Sequence, residues 1–274
     1  LKPALAIAVA WAVFASAARA GEARCWVDEG VLVVPASVMG VAGDYILDPA
    51  TPDTELHETR AQGAGFVETA LVGEVRIAGL TRKAHPVAVV DLDARTAGFP
   101  TPIAGVIGAD LLRDYVLDVN FAPCRVGLHP AGEAPRFGAA RRLDLQWVGG
   151  RPTIAAAVAD GPRAISAPFA LATGSSVAVR LDERFARVPG APKPKELYPY
   201  GAATAGLRAL SLADDLYENL RAGLLPAGGD ASGPAGSLGA PVLARYRLRF
   251  DFPRGRLLLA RAHEKGPPDA PGGP

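Results

Sequence analysis

Only two cysteines, one methionine and four histidines occur among the 274 residues. That scarcity excludes several chemistries at once. A single pair, Cys25 and Cys124, supplies neither a Cys-x-x-Cys redox spacing nor a thiolate zinc cage. His57, His85, His129 and His263 occur singly, in stretches that read as loops and a tail, with no spacing that marks a catalytic triad or a zinc site. No metal and no cofactor is therefore expected. An excess of one charge is missing too: 29 basic residues stand against 28 acidic ones, scattered along the chain. That argues against a nucleic-acid partner and against an anionic membrane surface. Beyond residue 20 no apolar run is long enough to cross a bilayer, so no integral membrane association is expected.

The first twenty residues are different. After Lys2 an apolar run extends from Ala4 through Ala17 and ends on Ala18-Arg19-Ala20. A short apolar core closed by a small-x-small site predicts a cleaved signal peptide over 1–20, an exported chain that is periplasmic or secreted, and a new N-terminus near Gly21. In an oxidising compartment Cys25 and Cys124 are expected to form a disulfide that ties that N-terminus to the hairpin after Phe121.

The remaining 250 or so residues suffice for two modest cores, and the sequence carries one signature twice. Gly105, Gly108, Leu112 and Tyr115 overlay Gly236, Gly239, Leu243 and Tyr246 without a gap. Each segment is followed by a turn and a second apolar stretch, Val126 and Leu128 in one half, Leu257 and Leu259 in the other. Two domains of like topology are predicted, 21–132 and 133–262, with a Gly- and Pro-rich tail over 263–274.

The periodicity within each half is that of strands. Val31 to Val34 and Tyr45 to Leu47 are β-rich runs separated by a turn at Gly40 to Gly43, and the second run ends on Asp48. Val75 and Ile77, then Val87 to Val90, read as further strands. Residues 109–115 read as a short helix, followed by a strand in which Tyr115, Leu117, Val119 and Phe121 alternate. In the second half Leu143, Leu145 and Trp147 alternate as one strand. Thr153 to Val158 and Phe169 to Leu171 follow, and the latter leads into Ala172-Thr173-Gly174-Ser175-Ser176. Histidine and proline at 129–142 mark the linker.

These residues resemble the aspartic peptidase superfamily, in particular its retropepsin-like and pepsin-like members with two fused lobes. In such proteins each lobe presents an Asp-Thr/Ser-Gly loop after an apolar strand, backed by an apolar-apolar-Gly motif. Asp48-Pro49-Ala50 and Ala172-Thr173-Gly174 occupy the first position here; Val106-Ile107-Gly108 and Ser237-Leu238-Gly239 occupy the second. The resemblance implies an all-β fold, duplicated and bilobal, with short helices and an interlobe cleft. It also implies a chemistry in which two close carboxylates share one proton, one polarising the peptide carbonyl and the other activating water.

The loops depart from that pattern. Ala172 has no ionisable atom, so Asp48 is a candidate catalytic acid without its partner. Pro49 lacks both a hydroxyl and a backbone donor, and Ala50 stands where the pattern has glycine. Thr173, Gly174, Ser175 and Ser176 keep the pattern, and the hydroxyls of Thr173, Ser175 and Ser176 are expected to bond structurally, since a nucleophile needs a base. Asp48 itself also fits a turn acid that caps backbone amides. Asp44 and Asp110 are the acids in sequence reach that would rescue a dyad, although their positions suit a solvated or capping role better. The expected function is a catalytically impaired, monomeric aspartic peptidase-like protein that binds an extended peptide or protein segment in its cleft, with Tyr45, Tyr198 and Tyr200 as aromatic contributors. Two alternatives stand beside it: an active endopeptidase with a nonstandard carboxylate pair, and a structural module with no open groove.

Overall fold

The computed structural model describes residues 21–159, 164–182, 195–197, 202–225 and 233–262. The expectations for the leader, for the 263–274 tail and for Tyr198, Tyr200 and His263 fall outside these residues. In the first half the strands are β1 (Glu22–Arg24), β2 (Trp26–Asp28), β3 (Val31–Val38), β4 (Val41–Leu47), β5 (Glu55–His57), β6 (Ala70–Ile77), β7 (Leu80–Val90), β8 (Ile103–Ile107), β9 (Tyr115–Phe121) and β10 (Cys124–Pro130). Three short helices interrupt them: α1 (Glu58–Gly63), α2 (Asp93–Thr96) and α3 (Ala109–Leu112). The second half adds β11 (Arg141–Asp144), β12 (Gln146–Val148), β13 (Arg151–Ala159), β14 (Ala164–Ala172), β15 (Val179–Asp182), β16 (Lys195–Leu197), β17 (Ala202–Leu212), β18 (Asp215–Leu225), β19 (Gly236–Gly239), α4 (Ala240–Leu243), β20 (Tyr246–Asp251) and β21 (Arg256–Arg261).

Among the described residues these strands make three sheets. One, in the order β2-β3-β4-β8-β5-β7-β6, belongs to the first half; another, β12-β13-β14-β19-β15-β18-β17-β16, to the second. A third, β1-β10-β9-β20-β21-β11, takes strands from both halves and joins them. The chain is all-β and duplicated: β8, α3, β9 and β10 recur as β19, α4, β20 and β21. Gly105 and Gly236 show why the repeat keeps its glycines. A Cβ at Gly105 would lie 2.1 Å from the Glu55 carbonyl oxygen, and one at Gly236 would lie 1.9 Å from that of Arg180. In both halves a crossing strand passes too close for any side chain.

The apolar run at 31–34 is continuous because β3 is buried on both faces. Leu32 and Val34 enter the main core with Tyr45 and Leu47. Val31 and Val33 enter a second cluster with Ile46, Ile103 and Val106.

Four details differ from the sequence reading. The first turn lies at Met39-Gly40, where both residues take positive φ (55° and 81°), and Val41 to Gly43 already pair with β3. The first helical segment after the glycine motif stops at Leu112, short of Tyr115. Leu143, Leu145 and Trp147 do not share a strand: β11 pairs with β21 in the joining sheet, whereas β12 pairs with β13. Leu145 bridges them, its N–H bonded to Gly255. His57, His85 and His129 lie in strands rather than loops.

Cys25 and Cys124 form a disulfide across a separation of 99 residues. It pins the three-residue strand β1 beside β10, and closing so long a loop restricts the unfolded chain strongly. Replacing both cysteines with alanine is expected to lower the unfolding free energy by about 2–4 kcal/mol. Urea denaturation reads this directly, and an unchanged midpoint would mean that the β1–β10 ladder alone holds the N-terminus.

Candidate active site

The backbone fixes the correspondence between the two loops without reference to their side chains. In the first half β4 runs parallel to β8 with Tyr45, Ile46 and Leu47 opposite Gly105, Val106 and Ile107. In the second, β14 runs parallel to β19 with Phe169, Ala170, Leu171 and Ala172 opposite Gly236, Ser237, Leu238 and Gly239. The Ala109 N–H donates to Thr51 O at 2.8 Å, and the Ala240 N–H donates to Ser175 O at 2.9 Å. Asp48-Pro49-Ala50-Thr51 and Ala172-Thr173-Gly174-Ser175 are thus equivalent turns, and Ala172 occupies the position equivalent to Asp48.

The loops meet. The Thr173 hydroxyl donates to the Leu47 carbonyl oxygen, while Thr173 O accepts from Leu32 N–H at 2.9 Å. Both bonds reach from the second half into the first. Pro49, at the equivalent position, has no hydroxyl to return the bond. Gly174 packs against Asp48 so closely that a Cβ there would lie 2.6 Å from Asp48 Oδ2. On the other flank Arg151 Nε donates to Ala50 O at 2.9 Å.

Asp48 is 5 % exposed, and its oxygens are occupied. Oδ1 accepts from the Ala50 N–H at 3.1 Å. Oδ2 accepts from the Thr51 hydroxyl at 3.1 Å and from Arg95 Nη2 at 2.7 Å. Arg95 also donates to Thr51 Oγ1 at 3.0 Å and approaches Glu55 Oε2 at 3.8 Å. Burial raises the Glu55 pKa; Arg95 offsets part of the rise, and Asp48, Asp53 and Asp110 add to it. Arg180, on β15, is a further cation of this seam. Burial lowers its pKa and the nearby Arg95 charge lowers it further, against an attraction from Asp48. The Arg180 Nε is buried without a hydrogen-bond partner.

The other acids are engaged elsewhere. Asp44 accepts from Thr101 at 3.2 Å. Asp110 accepts from Thr54 at 2.7 Å and from the Leu111 N–H at 2.8 Å, and lies 3.0 Å from His85 Nε2. Burial would raise the Asp110 pKa, but the His85 and Thr54 bonds outweigh it and hold the carboxyl below its usual value. Ser175 Oγ accepts only at 3.4 Å, from Val177 N–H. Tyr45 does not line a groove: it is fully buried, and its hydroxyl donates to Val41 O at 2.7 Å. Val106, Ile107, Leu238 and Gly239 are buried behind the loops. His57 pairs with Asp93 at 3.1 Å beside a separate cavity of about 830 Å³ whose walls include Arg60, Phe66 and Phe99. Among the described residues no cluster of three or more His, Cys, Asp and Glu could hold a metal ion.

Sequence reading missed Thr51, Glu55, Arg95, Arg151 and Arg180. Thr51 was within reach, because extending the loop overlay by one residue places it on Ser175. The others come from separate elements and carry no local pattern.

Two β halves, a joining sheet and paired loops crossed by glycine-backed strands define the bilobal acid-protease architecture. No family model matches the sequence, and no curated protein matches it. Among solved structures, the chain is similar to the aspartic proteinase from Irpex lacteus, with a TM-score of 0.52 and 12 % identity over 88 % of this chain and 97 % of that one. At that identity the likeness establishes the fold.

Proposed function

We propose that this chain is a non-proteolytic binding protein on the aspartic-proteinase fold, taking an extended peptide or protein segment at the seam between its halves. The observation that carries this reading is the Arg95–Asp48 ion pair at 2.7 Å in a site whose symmetric position is Ala172. A catalytic aspartate must exchange a proton with water and substrate. Asp48 instead spends its oxygens on Arg95, Thr51 and Ala50, with Gly174 closing the remaining side. The seam keeps partly exposed polar groups, Arg95 and Glu55 at 29 % and 19 % side-chain exposure, which suits recognition of a backbone or charged ligand. The disulfide supports export to an oxidising compartment. Among the described residues no helix is long and apolar enough to cross a membrane. A monomer is the reading because the second half already fills the place of a partner lobe.

One observation favours a second reading. Glu55 shares Arg95 with Asp48, and burial biases it toward the protonated acid, so Asp48 and Glu55 would form a nonstandard pair. Incubating the purified chain with casein between pH 3 and 7 separates the two. No product is expected at any pH. Cleavage abolished by both Asp48→Asn and Glu55→Gln would overturn the binding reading and establish the pair.

A further inference from the structure

The two halves place opposite charges at equivalent points beside the paired loops. Glu55 lies opposite Val106 in the β5–β8 ladder. Arg180 lies opposite Ser237, the equivalent of Val106, in the β15–β19 ladder. The first of these is satisfied and the second is not. Glu55 approaches Arg95 at 3.8 Å. Arg180 forms no ion pair among the described residues. Asp48 acts on it only through the field, the Arg95 charge opposes its own, and its Nε is buried without an acceptor.

A guanidinium stays charged in any protein environment, so a desolvated one without a counterion is a standing electrostatic cost. An unpaired guanidinium presents a planar set of N–H donors that a carboxylate satisfies with two parallel charge-assisted hydrogen bonds. The methyl of Ala172, where a second acid would repel such a ligand, removes the opposing charge.

We propose that the seam is a carboxylate receptor in which Arg180 takes the carboxylate of a bound peptide, either its C-terminus or an Asp or Glu side chain. Ligand identity as a peptide rests on the functional reading above; the anion site does not. The loss of the second carboxylate then has a consequence beyond inactivation, since it converts a site that would repel anions into one that selects them.

Calorimetric titration with three probes tests this: acetyl-tetra-alanine with a free C-terminus, the same peptide as its C-terminal amide, and an amide bearing one central aspartate. At least one of the two carboxylate peptides is expected to bind about tenfold more tightly than the neutral amide. Which one does so identifies the source of the carboxylate. Arg180→Gln should bring the three within about twofold of one another, and Arg180→Lys should retain part of the preference. Equal binding of all three probes, or a preference that survives Arg180→Gln, overturns the receptor and leaves peptide binding standing. If no peptide binds, thermal unfolding in sodium acetate against sodium chloride at equal ionic strength decides the matter. A rise in Tm specific to acetate and absent in Arg180→Gln keeps the anion site and removes the peptide reading; no such rise overturns the receptor. Should Arg180→Gln fail to fold, the acetate shift of the natural chain and the Arg180→Lys titration separate the same outcomes.

Discussion

Replacing Asp48 with alanine is expected to destabilise the protein, toward the lower end of the roughly 3–5 kcal/mol that follows removal of one partner from a buried ion pair. The carboxylate accepts from Arg95, Thr51 and the Ala50 N–H, and it is 5 % exposed. Alanine leaves those donors without an acceptor in a space closed by Gly174. The loss stays at the lower end because the Arg95 side chain keeps 29 % of its surface in water and retains its bond to Thr51 Oγ1. A catalytic acid behaves otherwise: active sites are held at a cost to stability, so removing one of their acids leaves stability unchanged or raises it. Urea denaturation of Asp48→Ala, Arg95→Ala and the double variant therefore distinguishes a structural from a catalytic aspartate. The double variant should be less destabilised than the sum of the two single changes, because the second change removes the charge that the first left unpaired. An Asp48→Ala protein as stable as the natural chain would return Asp48 to a catalytic role.

How much of this was legible in the sequence depends on whether local pattern or tertiary context sets a residue's role. The duplicated β fold was legible because its signal is local and repeated. Gly105 and Gly236 recur at the same place in the same apolar frame, and each is demanded by a crossing backbone rather than by a distant side chain. The equivalent places of Asp48 and Ala172 in the two halves were legible for the same reason. Arg95 was not. It reaches Asp48 across 47 residues from a four-residue helix, and no spacing links the two. Leu143 to Trp147 misled in the opposite way, since unbroken alternation hides the point where the chain leaves one sheet for another. Arg249 stands between the apolar Leu248 and Phe250 on one strand, yet it is only 7 % exposed. The far face of β20 is covered by the connection between the halves, where Phe137 lies.

Arg249 is where the second large effect is expected. It stands directly opposite Asp118 in the β20–β9 ladder, the one place among the described residues where the joining sheet pairs a strand of the first half with a strand of the second. Its Nε and Nη2 donate to the two Asp118 oxygens at 2.6 Å each. Phe137 packs under the guanidiniums of Arg249 and Arg247, at 4.9 and 4.4 Å from ring centre to Cζ, so one cluster ties both halves and their connection. Arg249→Ala removes the bidentate bond and the cation–π contact and strands Asp118, whose remaining basic neighbour, His129, is 3.8 Å away. The expected loss is about 3–5 kcal/mol. The same principle predicts that changing both partners to apolar residues, Asp118→Leu with Arg249→Met, costs far less, within roughly 1 kcal/mol of the natural chain. Because the pair couples the halves, Arg249→Ala should also broaden or split the calorimetric unfolding transition, while the apolar double variant restores a single one. A sharp single transition in Arg249→Ala would place the coupling in the backbone ladder and in the apolar side chains around it, Leu117, Val119, Leu248 and Phe250, instead.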